Sequence, residues 1–207
     1  MDAHRKFFSI SIQRYYPDDA AMIIASTDRH YHIISQDTKF SFTSSNPLDR
    51  RLDFSAYFLA FIKALDERSE SYEVIRTICL EIVTEYVRPK NRFQVWIKQL
   101  PARMIDTWWA KILLRKFAKR VRRNENADGF IAEIITDQQA TFGLGYGVDI
   151  LECGICKLFK KHRFEKYASI LCEVDEVTSS LAGLNLMRES TIARGASKCD
   201  FRWSRKK

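Results

Sequence analysis

The apolar residues in the first half of the chain recur with the spacing of an α-helix. The pattern predicts helices over about residues 18–35, 53–68, 71–87 and 102–123. In the second of these helices the apolar side chains form a stripe that faces a core. The stripe consists of Phe54, Tyr57, Phe58, Phe61, Ile62 and Leu65. The second and third helices are expected to pack as an antiparallel pair.

Strand patterns begin near residue 125, where the composition of the chain changes. All four prolines lie within the first 101 residues, and all seven glycines occur from Gly129 onward. Because glycine tolerates tight turns and close backbone contacts, this change predicts strands and turns. The patterns predict a hairpin over residues 129–153, a helix over residues 163–181 and a second hairpin over residues 184–203.

These elements predict an α+β fold. A helical N-terminal half packs on a C-terminal antiparallel sheet of about four strands, with a helix inserted between the two hairpins. The change in composition places a boundary near residue 124. It divides the chain into a helical subdomain over residues 1–124 and an α+β domain over residues 125–207.

The overall composition is typical of a folded protein with a sizeable core. Of the 207 residues, 46% are hydrophobic and 29% are charged. The N-terminus lacks the long apolar segment and cleavage site of a signal peptide, so a cytoplasmic location is expected. The five cysteines form an odd set in such a chain, which favours free thiols, catalysis or metal binding over disulfides.

The net charge of +8 permits anionic partners, and basic residues are concentrated in residues 111–123. This run can be interpreted as a surface for nucleic acid or membrane, or as a solvated helix face with cations near its C-terminus. We favour the solvated face because no nucleic-acid motif accompanies the run. Neither a nucleic acid nor a membrane is therefore expected as a partner.

Cysteine and aspartate pairs near the C-terminus are the candidate chemistry. Cys172 and Asp175 have helical spacing, so their side chains project from neighbouring points of one helix face. Cys199 begins the last predicted strand and is the leading nucleophile, although a small buried core residue explains it equally well. Asp200 follows it directly, and in a regular strand the two side chains point to opposite faces.

The cysteines also permit a metal site. Cys153 and Cys156 form a C-x-x-C motif, and two thiolates at this spacing can share one tetrahedral zinc ion. Cys172 and Cys199 would complete the ligand set. A redox dithiol at the same motif is a weaker interpretation, because the surrounding βαβ pattern is absent. No cofactor is required by the sequence, and zinc is the one that it allows.

The last third of the chain resembles the L-2-amino-thiazoline-4-carboxylic acid hydrolase family. The residues that carry the resemblance are Cys153, Leu171, Cys172, Asp175, Arg188, Thr191, Gly195, Cys199, Asp200 and Phe201. A more distant resemblance joins the chain ending to small-molecule-binding domains of the four-vinyl-reductase type. The residues of that second resemblance are Glu189, Gly195, Cys199 and Phe201.

The first resemblance implies a hydrolase that opens a small cyclic substrate such as a 2-amino-thiazoline carboxylate. Cys199 or Asp175 would supply the nucleophile or base, and Cys172 or Asp200 would supply a proton to the leaving thiolate. The second resemblance implies a module that binds a small molecule or zinc without turnover. The choice between the two stays open.

The substrate carboxylate in the hydrolase interpretation requires a cation. Arg188 or Arg194 would supply it, and only one of them can do so because they are about 20 Å apart in an extended strand. Thr191 lies between them and is a further candidate for substrate binding. A small-molecule substrate is therefore the expected partner, and homo-oligomerisation is left open.

Overall fold

A computed structural model of the protein describes residues 3–105, 107–123 and 125–206. The described residues form eight α-helices and a four-stranded antiparallel sheet in the C-terminal half, which confirms the predicted α+β class. The helices are α1 Ala3–Tyr15, α2 Ala20–Thr38, α3 Arg51–Asp66, α4 Tyr72–Val87, α5 Arg92–Met104, α6 Trp108–Val121, α7 Gly154–Lys161 and α8 Ala168–Leu181. The strands are β1 Ile131–Ile135, β2 Gly147–Glu152, β3 Leu184–Met187 and β4 Cys199–Arg205.

The sheet has the strand order β1-β2-β4-β3, so the two predicted hairpins join along β2 and β4. It pairs with β2 on one side and with β3 on the other, antiparallel in both cases. The helices α7 and α8 come between β2 and β3 in the chain, as the prediction of an inserted helix requires. This order brings the N-terminus of β4 next to the C-terminus of β2.

Helix α3 is the centre of the hydrophobic core. Its residues from Ala56 to Ile62 are all at most 1% exposed. The sequence predicted an apolar stripe, but the helix is apolar on nearly every side and is accordingly surrounded by other elements. Its core cluster contains residues from α1 and α4 as well as α7 and α8. This cluster crosses the boundary near residue 124, and the division into two domains stays a prediction.

Three helices were not predicted from the sequence, namely α1, α5 and α7. The predicted helix over residues 102–123 is wrong at its start, because α5 ends at Met104 and α6 begins at Trp108. The Thr107 side chain caps α6 by accepting from the N–H of Ala110. The predicted helix over residues 163–181 begins at Ala168 instead, after a short 3₁₀ turn at Glu165–Tyr167.

The first strand of the predicted hairpin over residues 184–203 is short, since β3 ends at Met187. A loop over residues 188–198 follows, with a 3₁₀ turn at Ile192–Arg194 and a left-handed Gly195. Asp200 holds this loop by accepting hydrogen bonds from Ser190, as described below. No helix among the described residues combines the length and apolar character needed to cross a membrane.

Candidate active site

A small cavity lies where α3, α7 and α8 meet the sheet. Its volume is about 70 Å³, far below the roughly 300–1,000 Å³ of pockets for drug-sized ligands. Polar or ionisable side chains line it beside apolar ones. These side chains are Arg51, Ser55, Cys153, Cys156, Cys172, Asp175 and Cys199. The cavity therefore brings together four of the five cysteines, the same four that the sequence allowed as zinc ligands.

Helix α8 places Cys172 and Asp175 at the cavity, as their helical spacing predicted. The Asp175 carboxylate accepts a hydrogen bond from Arg51 Nη2 at 2.9 Å and another from Arg188 Nη1 at 3.3 Å. The negative charge of Asp175 raises the pKa of Arg51 above its ordinary value. Since both carboxylate oxygens are already bound, Asp175 holds two guanidinium groups in place.

Arg51 was not among the predicted site residues. It occupies the first turn of α3, where the helix dipole disfavours a cation, and its interaction with Asp175 offsets that cost. The side chain remains 48% exposed and lines the cavity. A basic residue at the start of an otherwise apolar helix is the sequence signal that would have drawn attention to it.

The predicted substrate-binding residues occupy three different environments. Arg188 is almost fully buried, donates to the Cys172 carbonyl at 2.9 Å and lies over the Phe201 ring. Arg194 is exposed at the end of its 3₁₀ turn and is not among the cavity residues. Thr191 is buried, and its Oγ1 has no hydrogen-bond partner among the described residues. Only Arg188 is tied directly to the cavity wall, through α8.

Cys199, the predicted nucleophile, is buried, and Cys172, the predicted second thiol, is partly buried. Cys199 begins β4, and its Sγ accepts a hydrogen bond from the N–H of Ile192 at 3.2 Å. Burial nevertheless raises the pKa of Cys199 to about 11. Burial likewise raises the pKa of Cys172 to about 12. Both groups are therefore neutral thiols near neutral pH, which does not suit a nucleophile.

Cys153 has the opposite properties. It is the N-cap residue of α7, is partly exposed and lines the cavity. The neighbouring Cys156 thiol, the N–H groups of Cys156 and Ile155 and the positive charge of Arg51 lower the pKa of Cys153 below its ordinary value, against the opposing effect of burial. The same interaction raises the pKa of the Cys156 thiol. Cys153 is thus the cysteine best suited to form a thiolate.

The sequence contained part of this signal. The C-x-x-C motif was interpreted as zinc or redox chemistry because the helix that follows it was not predicted. In the structure Cys153, the first cysteine of the motif, lies at the N-terminus of α7, where the helix dipole stabilises a negative charge. The second cysteine follows within the first turn of α7 and lines the same cavity.

Asp200 lies on the other side of β4 from Cys199, as a regular strand predicts. Its carboxylate accepts hydrogen bonds from the Ser190 N–H at 2.7 Å and from Ser190 Oγ at 2.8 Å. Although burial opposes ionisation, these bonds keep the pKa of Asp200 below its ordinary value. Asp200 is not among the cavity residues, so it stabilises the loop over residues 188–198 and does not orient the Cys199 thiol.

The cysteine set was also considered as a zinc site. Cys153, Cys156, Cys172 and Cys199 all line the cavity. Among the described residues, however, no group of three or more His, Cys, Asp or Glu side chains is arranged to hold a metal ion. The Cys199 sulfur is instead oriented toward a backbone N–H. Zinc binding by these four cysteines stays a prediction.

Comparison with known proteins assigns the family. The family model described as L-2-amino-thiazoline-4-carboxylic acid hydrolase matches residues 50–203, which is most of the chain. The matched region extends well beyond the last third of the chain and includes Arg51 together with all the cavity cysteines. No curated protein and no solved structure matches the chain. The chain therefore belongs to the L-2-amino-thiazoline-4-carboxylic acid hydrolase family.

Proposed function

We propose that the protein hydrolyses a small cyclic 2-amino-thiazoline carboxylate and that Cys153 is its nucleophile. The observation that carries this proposal is the position of Cys153, at the N-terminus of α7 in a small cavity that it shares with Arg51. This assignment replaces Cys199, which the sequence favoured. The family match supports the class of reaction and of substrate.

The reaction divides into two displacements at one carbon atom. The Cys153 thiolate attacks the ring carbon that bears the amino group, and a tetrahedral adduct forms. Cleavage of the bond between this carbon and the ring sulfur opens the ring and leaves an S-linked isothiourea on Cys153. Water then attacks the same carbon and releases the Cys153 thiolate. The product carries a urea group and a free thiol, as in a carbamoyl-cysteine.

Cys156 is suited to protonate the departing ring sulfur. Its thiol lines the same cavity as Cys153, and the Cys153 thiolate disfavours loss of the Cys156 proton in the free enzyme, which raises the pKa of Cys156. When Cys153 becomes covalently bonded to the substrate carbon, its sulfur loses most of its negative charge and holds that proton less strongly. The proton can then pass to the ring thiolate as the ring opens, which gives the leaving group its neutral form.

Arg51 is the cation that we assign to the substrate carboxylate. It lines the cavity, and one of its terminal nitrogens, Nη2, binds Asp175. A guanidinium carries five N–H donors, so donors remain for a second carboxylate. Arg188, which with Arg194 was one of the two candidates from the sequence, instead binds Asp175 and the Cys172 carbonyl. It acts as a positioning residue for α8.

The test is a turnover assay that follows the appearance of the product thiol from 2-amino-thiazoline-4-carboxylate. The thiol variants Cys153→Ala and Cys199→Ala are compared with the unaltered protein. We expect Cys153→Ala to reduce kcat by at least about 10³-fold, because the covalent route is lost. Cys199→Ala should retain kcat within about tenfold, since a buried thiol is replaced by a slightly smaller apolar side chain.

Mass spectrometry of the protein during turnover provides the second measurement. An adduct on Cys153 with the mass of the substrate supports the covalent route. Loss of activity in Cys199→Ala with full activity in Cys153→Ala would show that the nucleophile is wrongly assigned. Stoichiometric binding of the thiazoline without release of a thiol would overturn the hydrolase proposal and favour a small-molecule-binding module.

A further inference from the structure

Helices α5 and α6 and their flanking residues form a surface that we call the arm, residues 88–123. Its large apolar side chains are unusually exposed. The exposed side chains are Phe93, Val95, Trp96, Ile97, Met104, Trp108, Trp109, Ile112 and Leu113. Three of the four tryptophans in the chain are among them. Isolated exposed apolar residues are common on proteins, but nine large ones within a segment of 36 residues indicate an interaction surface.

The arm also carries the net positive charge of the protein. Between Arg88 and Arg123 there are twelve lysines and arginines and one acidic residue, a net charge of +11. The rest of the chain therefore has a net charge of −3. Among the described residues, five cations of α6 form no ion pair. These are Lys111, Arg115, Lys116, Lys119 and Arg120.

Apolar and basic groups are combined within the same two short helices. Trp108 and Trp109 stack with ring centroids 3.6 Å apart at the start of α6, and both are nearly 60% exposed. The first cation of α6, Lys111, follows two residues after Trp109. Helices α5 and α6 have 13 and 14 residues, against the roughly 20 needed to span a bilayer. Helices of this kind lie in the plane of a membrane interface.

We propose that the arm docks on the surface of an anionic phospholipid bilayer. The tryptophans and the aliphatic side chains would enter the boundary between headgroups and acyl chains, while the lysines and arginines bind lipid phosphates. This proposal reverses the expectation, drawn from the sequence, that the protein has no membrane partner. It concerns a peripheral contact and is independent of the function proposed above.

Charge argues against the other occupants of this surface. A second copy of the chain docked through the same face would bring two segments of net charge +11 together, which is repulsive. A nucleic acid would satisfy the cations and could stack on the tryptophans, but it would leave Ile97, Ile112 and Leu113 without an apolar partner. An anionic bilayer satisfies both kinds of group.

The arm can be tested without disturbing the candidate active site, because no cavity residue lies within it. The full chain is mixed with vesicles of phosphatidylglycerol and, separately, with vesicles of phosphatidylcholine, and the bound fraction is measured by sedimentation. We expect binding to the first and little to the second, with a blue shift of tryptophan fluorescence. Binding should weaken as salt is added, since part of it is electrostatic.

Two charge reversals provide a matched comparison. The variant Lys116→Glu with Arg120→Glu changes two exposed cations of α6, and the control Lys6→Glu with Lys160→Glu changes two exposed cations outside the arm. Both lower the net charge by the same amount. We expect the arm variant to bind phosphatidylglycerol vesicles at least about 30-fold more weakly, and the control to change by less than about threefold.

A third variant examines the apolar contribution. Trp108→Ser with Trp109→Ser keeps every charge, and its vesicle binding should fall by tenfold or more. The proposal is overturned if the arm variant and the control weaken binding equally, or if no anionic vesicle is bound. It is also overturned if the protein binds duplex DNA but not vesicles, or forms a dimer through the arm that excludes vesicles.

Discussion

The ion pairs of Asp175 can be tested by Asp175→Asn, which removes the negative charge and keeps the size of the side chain. Arg188 is 7% exposed and would keep only a 4.0 Å ion pair with the exposed Glu176 carboxylate. Breaking a buried pair in this way costs about 3–5 kcal/mol. Because Arg188 keeps its bond to the Cys172 carbonyl and its contact with Phe201, we expect the lower end, about 3 kcal/mol.

The pair of Asp175 with Arg51 contributes much less. Arg51 is 48% exposed, and an exposed ion pair stabilises a protein by at most about 1 kcal/mol. The same carboxylate therefore takes part in two ion pairs of unequal strength. For a chain of this size, the total loss of about 3–4 kcal/mol in Asp175→Asn corresponds to a fall in Tm of about 6–16 °C.

A double-mutant cycle separates the two pairs. Thermal unfolding is followed by circular dichroism for Asp175→Asn, for Arg188→Met and for the double variant, with Arg51→Met in a parallel cycle as the control. We expect a coupling energy of about 2 kcal/mol or more with Arg188 and below about 1 kcal/mol with Arg51. The reasoning is refuted if the effects of Asp175→Asn and Arg188→Met simply add, or if Asp175→Asn costs less than about 1 kcal/mol.

Three further predictions concern the thiols and their supports. With iodoacetamide at neutral pH one thiol should react fastest and be absent in Cys153→Ser, whereas Cys199 and Cys172, with pKa values of about 11 and 12, should react only at high pH. Asp200→Ala should cost about 1–3 kcal/mol in urea unfolding. The folded pKa of Asp200 is below its ordinary value of 3.8, so Asp200 stabilises the folded protein above that pH. This stabilisation is lost as the pH falls through the folded pKa. The free energy of unfolding of Asp200→Ala should therefore depend less steeply on pH in the acid range. In Gly154→Ala the new methyl group would lie 3.0 Å from the Asp128 carbonyl oxygen. This close contact should lower the free energy of unfolding by about 1–3 kcal/mol and slow the alkylation of Cys153. An unchanged alkylation rate would contradict the position of Cys153 at the start of α7.

The helical half of the fold was largely predictable from apolar spacing. Helices α3 and α4 begin and end within two residues of their predicted bounds, because each carries several turns of regularly spaced apolar residues. Helices α5 and α7 lack that signal. No residue of α5 whose burial is described is fully buried, so its sequence carries no apolar stripe that faces a core. Helix α7 has only eight residues, which is too short for an apolar period to be recognised.

The local geometry of the candidate site was also contained in the sequence. Helical spacing places Cys172 and Asp175 on one face, and strand alternation separates Cys199 from Asp200. Both rules depend only on neighbours a few residues apart. They could be applied before any tertiary contact was known, and the structure bears out the relative directions that they imply.

The choice of reactive cysteine was decided only by the tertiary structure. The ionisation of Cys153 depends on the N-terminus of α7, on the Cys156 thiol and on Arg51, which comes from the distant helix α3. Arg51 is in turn held by Asp175, 124 residues further along the chain. Apolar periodicity records which face of an element is buried, and this is a local property of the chain. Charges and dipoles act through space, so the pKa of a thiol follows from groups that only the folded chain brings together.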